Sequence, residues 1–375
     1  MGVDWGRIRA EFPALERWTF LNTATFGQLP RCATEAVSRH FAHRDEMACQ
    51  DFLDWYDDAD RIREQVALLL GCRAGDIAFF PTASAPLGLL LGGIDWRAGD
   101  RVVTLAGEFP NNLYYPALLG RRGGVEFVET PWERFYEAIT ARTRLVLMST
   151  VNYTNGFRPP LEEVADFLHS RGIPLYLDGT QSVGALLLDT PRIRPAMLAV
   201  NAYKWLISPS GAAFAYIDPT LRARLEPNAI GWRSHRDWRR VDNLHHGAPE
   251  FVDSAEKYEG GMLAFPSLYA MGASLGMILE IGPAEIERRV MHLAQEARRL
   301  LRKVGARLPA DQGPHFDSPI LAACFEGRDA SLLARQLQAR GVQVSARHGN
   351  LRVSMHFYNN EEDLERLAGE LATLV

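Results

Sequence analysis

Short apolar runs alternate with longer helical patterns through the middle of the chain. Ile77-Ala78-Phe79-Phe80, Arg101-Val102-Val103-Thr104-Leu105, Val125-Glu126-Phe127-Val128, Leu145-Val146-Leu147-Met148 and Ile173-Pro174-Leu175-Tyr176-Leu177 are too short for buried helices and read as strands. Between the last two, Leu161-Glu162-Glu163-Val164-Ala165-Asp166-Phe167-Leu168 sets apolar residues at helical spacing. Strands alternating with helices predict an α/β fold with a mainly parallel sheet covered by helices on both faces.

The rhythm breaks after Pro219. Residues 226 to 266 are irregular, and two long helical patterns follow, Phe265 to Ile281 and Pro283 to Leu308. The segments Ile320 to Phe325, Ser331 to Ala339, Val342 to Ser345, Leu351 to Met355 and Glu361 to Leu374 then read strand, helix, strand, strand, helix, a small α+β unit. The expected organisation is an N-terminal arm over 1–52, a large domain over 53–265, and linking helices with a small C-terminal domain over 266–375. No internal repeat and no low-complexity tract interrupts it.

Composition narrows the function classes. With 375 residues, 47% hydrophobic and 23% charged, the chain can bury a sizeable core. A net charge of −5 gives no electrostatic case for a polyanionic partner, so no nucleic acid is expected. Cys32, Cys49, Cys72 and Cys324 form no C-x-x-C pair and no zinc-type cluster with histidine, so no metal is expected. Met1 to Trp18 is charged and has no apolar core, and no run is long enough to span a bilayer. A cytoplasmic protein without a membrane partner is the expectation.

Lysine usage is more telling. The 41 basic residues include only three lysines, Lys204, Lys257 and Lys303; the rest are arginine. Arginine stays protonated, whereas a lysine amine in apolar surroundings can lose its proton and attack a carbonyl. Lys303 lies on a charged helical face and Lys257 in a loop. Lys204 lies inside the apolar run Met197 to Ile207.

In open parallel sheets ligands bind at the carboxyl ends of the strands, so the residues there matter. Phe80 is followed by Pro81-Thr82-Ala83-Ser84, either a phosphate cradle at a helix start or a simple side-chain cap. Leu105 is followed by Gly107-Glu108-Phe109-Pro110-Asn111-Asn112, where Phe109 can stack on a flat ring or pack in the core. Met148 is followed by a polar loop containing Asn152, and Leu177 by Asp178-Gly179-Thr180-Gln181. A carboxylate just past a buried strand needs a cation or a protonated nitrogen. A phosphate cradle, a flat-ring partner, a carboxylate for a ring nitrogen and a buried amine together describe a site for pyridoxal phosphate.

This ordered set resembles the class V aminotransferase family of fold-type I pyridoxal-phosphate enzymes. The family takes in cysteine desulfurases, kynureninases, isopenicillin N epimerase-like proteins, aminotransferases and lyases. The resemblance runs from Leu21-Asn22-Thr23-Ala24 to Arg352-Val353-Ser354-Met355-His356-Phe357-Tyr358-Asn359-Asn360-Glu361-Glu362. It implies that Lys204 carries the cofactor pyridoxal 5'-phosphate as a Schiff base and that Asp178 faces the pyridine nitrogen. It also implies Gln181 near the phenolic oxygen, Phe109 on the ring, Asn152 beside it, and Thr82, Ala83, Ser84, Asn201 and Tyr203 around the phosphate. Arg352 and Asn22 are expected at the carboxylate of a small amino-acid substrate. Trp232 is expected to reach the site of a neighbouring subunit, which implies a homodimer.

The stretch before Arg352, Ser345-Ala346-Arg347-His348-Gly349-Asn350, lacks the cysteine that a desulfurase requires, and Cys324 is expected to be inert in a buried strand. The resemblance therefore implies chemistry at an amino-acid α-carbon, with amino-group transfer first and Cβ–S lysis or epimerisation as alternatives. His348 could face substrate. The cluster Arg233, His235, Arg236, Arg239, Arg240, His245 and His246 could recognise an anionic side chain, or be a solvated basic loop. A non-catalytic binding protein on this fold is the distant alternative. A nucleotide-binding oxidoreductase is disfavoured because Pro81 to Gly93 contains no G-x-G-x-x-G.

Overall fold

A computed structural model describes residues 2–244, 247–311 and 313–375; His245 and His246 of the basic segment lie outside it. After β1 (Thr19–Phe20) come the strands of the central sheet: β2 (Ile77–Phe80), β3 (Arg101–Leu105), β4 (Glu126–Thr130), β5 (Thr143–Ser149), β6 (Leu175–Asp178), β7 (Met197–Asn201) and β8 (Ala213–Ile217). Their spatial order is β2-β8-β7-β6-β5-β3-β4. From β4 to β7 every pairing is parallel, while β8 runs antiparallel to both β7 and β2.

The strands are apolar throughout because both faces are covered. Val103, Val146, Leu175, Leu177, Leu198 and Val200 face one core with Trp55, Val66, Leu268 and Met271. Their neighbours Val102, Leu145, Leu147, Tyr176, Met197 and Ala199 face the other with Leu87, Leu90 and Leu91. This is the two-residue alternation of a pleated strand. Strand β8, between β2 and β7, was not anticipated. It begins beyond the apolar run that ends at Ile207, and it enters by a short antiparallel return that needs no crossover helix.

Beyond the long helices Phe265–Ile281 and Pro283–Lys303 lie β9 (Ile320–Ala323), β10 (Val342–Gln343), β11 (Ser345–Arg347) and β12 (Asn350–Ser354). The second helix ends before the expected Leu308, and the chain turns at Gly305, φ +88°. The single strand expected over Val342 to Ser345 is divided. β10 pairs in parallel with β1, and β11 pairs with β12, which pairs with β9, both antiparallel. Leu351 and Val353 of β12 enter a core with Leu21, Leu293, Leu333 and Leu364. By alternation, Arg352 and Ser354 face the other way, onto the end of the large sheet. Cys324, expected in a buried strand, instead sits half-buried just past β9, where it bridges Arg307. Among the described residues no helix is long and apolar enough to cross a membrane.

The irregular segment after Pro219 is fixed by buried ion pairs. Glu259 joins Arg63 (Nη1 to Oε1, 2.6 Å) and Arg233 (Nη1 to Oε2, 2.9 Å), and accepts from the Phe79 amide at 2.8 Å. Burial raises the Glu259 carboxyl, but the two arginines more than offset this and hold it below its ordinary range. Removing one member of such a cluster strands buried charge. Glu259→Ala is therefore expected to lower unfolding stability by about 3–5 kcal/mol, read as a fall in the denaturant midpoint.

Candidate active site

Lys204 does not lie within a strand. The apolar run that contains it divides into β7, ending at Asn201, and a tight turn from Ala202 to Ser208. Gly27 N donates to Tyr203 O at 2.9 Å, and a Cβ at Gly27 would collide with the Lys204 carbonyl. Across the turn Gly184, φ +104°, leaves room for the Trp205 carbonyl that any Cβ would occupy. That carbonyl accepts from His356 Nε2 at 2.8 Å, while His356 Nδ1 accepts from Phe357 N at 2.8 Å. Burial pushes the His356 ring down to about 3, so it is neutral with its proton on Nε2. Trp205 Nε1 donates to Gln181 Oε1 at 2.8 Å, and Gln181 Nε2 donates to Ala24 O at 3.1 Å. Ile207 adopts φ +47°, a costly conformation for a β-branched residue, and Ser274 Oγ holds its carbonyl at 2.9 Å.

The Lys204 side chain is thereby delivered into a dry site. The residue is 7% exposed, with Nζ 5.5 Å from the Phe109 ring centroid and 5.6 Å from that of Tyr203. Burial pushes its amine down to about 8; Asp178 opposes the shift, and Arg352 and Arg347 add to it. Asp178 ends β6, 6% exposed, with Oδ1 accepting from Thr180 N at 2.9 Å. Beside it stands Glu108, whose role the sequence did not suggest. Its carboxyl accepts from Ser149 N (2.7 Å), Ser149 Oγ and Asn112 Nδ2 (3.0 Å), and burial raises it above the ordinary range. Glu108 directly precedes Phe109, so it anchors the segment that presents the aromatic ring.

At the end of β2, Ala83 is the cap residue of the helix Ser84–Gly93, and no side chain caps that helix. The alternative of Thr82 or Ser84 as a simple cap is therefore not what forms. Asn201 Oδ1 accepts from Ala83 N at 3.0 Å and ties this loop to β7. Asn152 is fastened within its own loop: Nδ2 donates to Gly107 O at 2.9 Å and Oδ1 accepts from Thr154 N at 2.9 Å.

Arg352 arrives from β12, 1% exposed. Its Nη1 donates to Tyr153 O at 2.7 Å, and its Nη2 to Thr25 Oγ1 at 2.5 Å and Asn22 Oδ1 at 3.4 Å. Tyr153 packs edge-on to Phe109 and its hydroxyl meets His348 Nε2 at 3.2 Å. Trp232 packs on Tyr56 and Trp238 in its own chain. In the basic segment, Arg233 is paired with Glu256 and Glu259, Arg236 with Glu250, and Arg239 with Asp57 and Asp60. Arg233 is buried in its pairs, while those of Arg236 and Arg239 lie at the surface.

Fold and site together define an α/β enzyme built around a buried, reactive lysine at the carboxyl end of a parallel sheet. The Aminotransferase class-V family model matches residues 21–367, and the chain belongs to that family. It is 28% identical to the isopenicillin N epimerase of Streptomyces clavuligerus, over 99% of this chain and 98% of that one. It is 26% identical to the uncharacterized aminotransferase YcbU of Bacillus subtilis, over 98% and 97%. The solved structure of a C-DES mutant with glycine covalently linked to its pyridoxal-phosphate cofactor superposes with a TM-score of 0.87 at 20% identity, covering 97% and 98%. The cofactor of the class is pyridoxal 5'-phosphate, and the residues here fit it: an amine facing an aromatic ring, a carboxylate at the neighbouring strand end, and a helix start free of side-chain caps.

Gly184→Ala tests the clamp. A Cβ at positive φ against the Trp205 carbonyl is expected to cost about 2 kcal/mol or more. The loss is read as a fall in the denaturant midpoint.

Proposed function

We propose that the protein is a pyridoxal-phosphate enzyme that transforms a small amino acid at its α-carbon, with amino-group transfer as its reaction. The observation that carries this reading is the Lys204 amine, buried, lowered to about 8 and shared between Phe109 and Asp178. When bound, the cofactor supplies a ring that takes up the electron pair left by a breaking bond to the α-carbon.

The chain's own residues supply the rest. Lys204 would hold the cofactor and would carry a proton to or from the substrate α-carbon; an amine poised near 8 suits both roles. Asp178 is the acceptor for the ring nitrogen and Phe109 covers one ring face. The hydroxyls of Thr82 and Ser84, with the amides there that Asn201 does not already engage, would hold the phosphate, with Tyr203 alongside. Arg352 presents a planar fork to the substrate carboxylate, with Asn22 orienting one nitrogen. Gln181 acts by bracing Trp205 beside the lysine, and Asn152 by shaping the loop next to Gly107. A homodimer in which Trp232 approaches the neighbouring subunit's site is part of this proposal. A second reading, epimerisation, is supported by the Tyr153–His348 pair, which sets a further proton carrier beside Phe109. Desulfurase chemistry is disfavoured, because Ser345 to Asn350 contains no cysteine and Cys324 lies against Arg307.

Loading with pyridoxal phosphate is expected to produce a visible absorbance band that Lys204→Ala lacks. An amino acid should then convert the cofactor stoichiometrically to pyridoxamine phosphate while a keto acid appears. A band absent from both proteins contradicts the reading. A band that survives while ammonia is released or chirality is lost replaces transfer with elimination or epimerisation.

A further inference from the structure

The charges around Lys204 are unbalanced. Arg347 closes β11 and Arg352 lies in β12, two strands paired through Ser345–Arg352 and Arg347–Asn350. Both guanidinium groups converge on one hydroxyl: Thr25 Oγ1 accepts from Arg352 Nη2 at 2.5 Å and from Arg347 Nη2 at 3.5 Å. Their other acceptors are neutral, namely Tyr153 O and Asn22 Oδ1 for Arg352 and Ala346 O for Arg347. Among the described residues neither has a carboxylate partner, and Arg352 Nε is buried without any partner. The lack of a carboxylate, rather than the unpartnered Nε, sets Arg352 apart from other buried arginines of the chain. The buried arginines Arg63 and Arg233, and the largely buried Arg101 and Arg289, each meet a glutamate.

Two like charges held near one hydroxyl repel, and a site that keeps them there is completed by anions. The carboxylates at this strand edge are already committed. Asp178 stands across from Lys204, and Glu108 is engaged by Ser149 and Asn112. The cofactor phosphate belongs to the loop at Ala83, tied to β7 rather than to β11. An α-carboxylate on Arg352 leaves Arg347 as the second cation, half-buried and open to the side-chain end of the same substrate.

We propose that Arg347 is a specificity-determining residue that binds an acid group on the substrate's side chain, so that the enzyme acts on amino acids carrying two acid groups. This rests on the reading of Arg352 as the α-carboxylate site. In the basic segment after Pro219, Arg233, Arg236 and Arg239 already meet carboxylates.

The test uses the pyridoxal-phosphate-loaded protein and needs no turnover. Succinate and glutarate are titrated by calorimetry against butyrate, with wild type, Arg347→Gln, Arg347→Lys and Arg352→Gln. The diacids are expected to bind about tenfold or more tighter than butyrate, matching one added charge-assisted contact. Arg347→Gln should erase that ratio and Arg347→Lys restore part of it. In steady state, kcat/KM for glutamate over norvaline should fall in Arg347→Gln in the same proportion. Equal affinity of wild type for diacid and butyrate, or an equal loss for both in Arg347→Gln, overturns the assignment of Arg347 alone. Butyrate binding that Arg352→Gln leaves unchanged overturns the amino-acid reading beneath it.

Discussion

Removing the Lys204 amine from water is the constraint on which the rest of the structure depends. Burial alone would drive the proton off entirely or exclude the group from the site, so a carboxylate must be supplied and the backbone must be held against the charge. Asp178 supplies the carboxylate from the adjacent strand, and the balance leaves the amine at about 8. That state is expensive. The folded protein is penalised below the folded pKa, where the charged amine is buried, and the penalty fades as pH rises from there toward the ordinary lysine value.

The fold meets the cost by making the lysine turn immovable. Gly27 and Gly184 admit the backbone from two sides, His356 holds the Trp205 carbonyl, and Gln181 joins Trp205 to Ala24. These contacts come from the N-terminal segment, the large sheet and the strand pair around β12. The site therefore forms only when the distant parts of the chain have packed together. The buried Arg63–Glu259–Arg233 cluster does the same for the irregular segment beside β2, whose end carries the Thr82–Ser84 loop.

Much of this was legible in the sequence because parallel strands announce themselves as apolar runs and place their chemistry at one end. Lys204, Asp178, Phe109 and the Thr82–Ser84 loop all follow such runs, and Arg352 sits in a recognisable C-terminal motif. What escaped depended on pairing rather than pattern. β8 is a five-residue stretch outside the apolar run of the lysine, and only its antiparallel neighbours place it in the sheet. Glu108 looks like a loop acid until Ser149 and Asn112 close around it. Arg347 looks like one of many surface arginines; its convergence with Arg352 on Thr25 joins residues more than 300 positions apart. Arg233 shows the reverse case, conspicuous in sequence and buried in ion pairs with Glu256 and Glu259.

The scarcity of lysine makes the central claim directly measurable. With only three lysines, protein labelled with 13C at lysine Cε gives three resonances, and Lys204→Arg assigns the one that matters. In the cofactor-free protein that resonance is predicted to titrate near pH 8, and to move lower in Asp178→Asn as the attractive carboxylate is lost. A titration at about 10.4, the ordinary lysine value, unaffected by Asp178→Asn, would contradict the account.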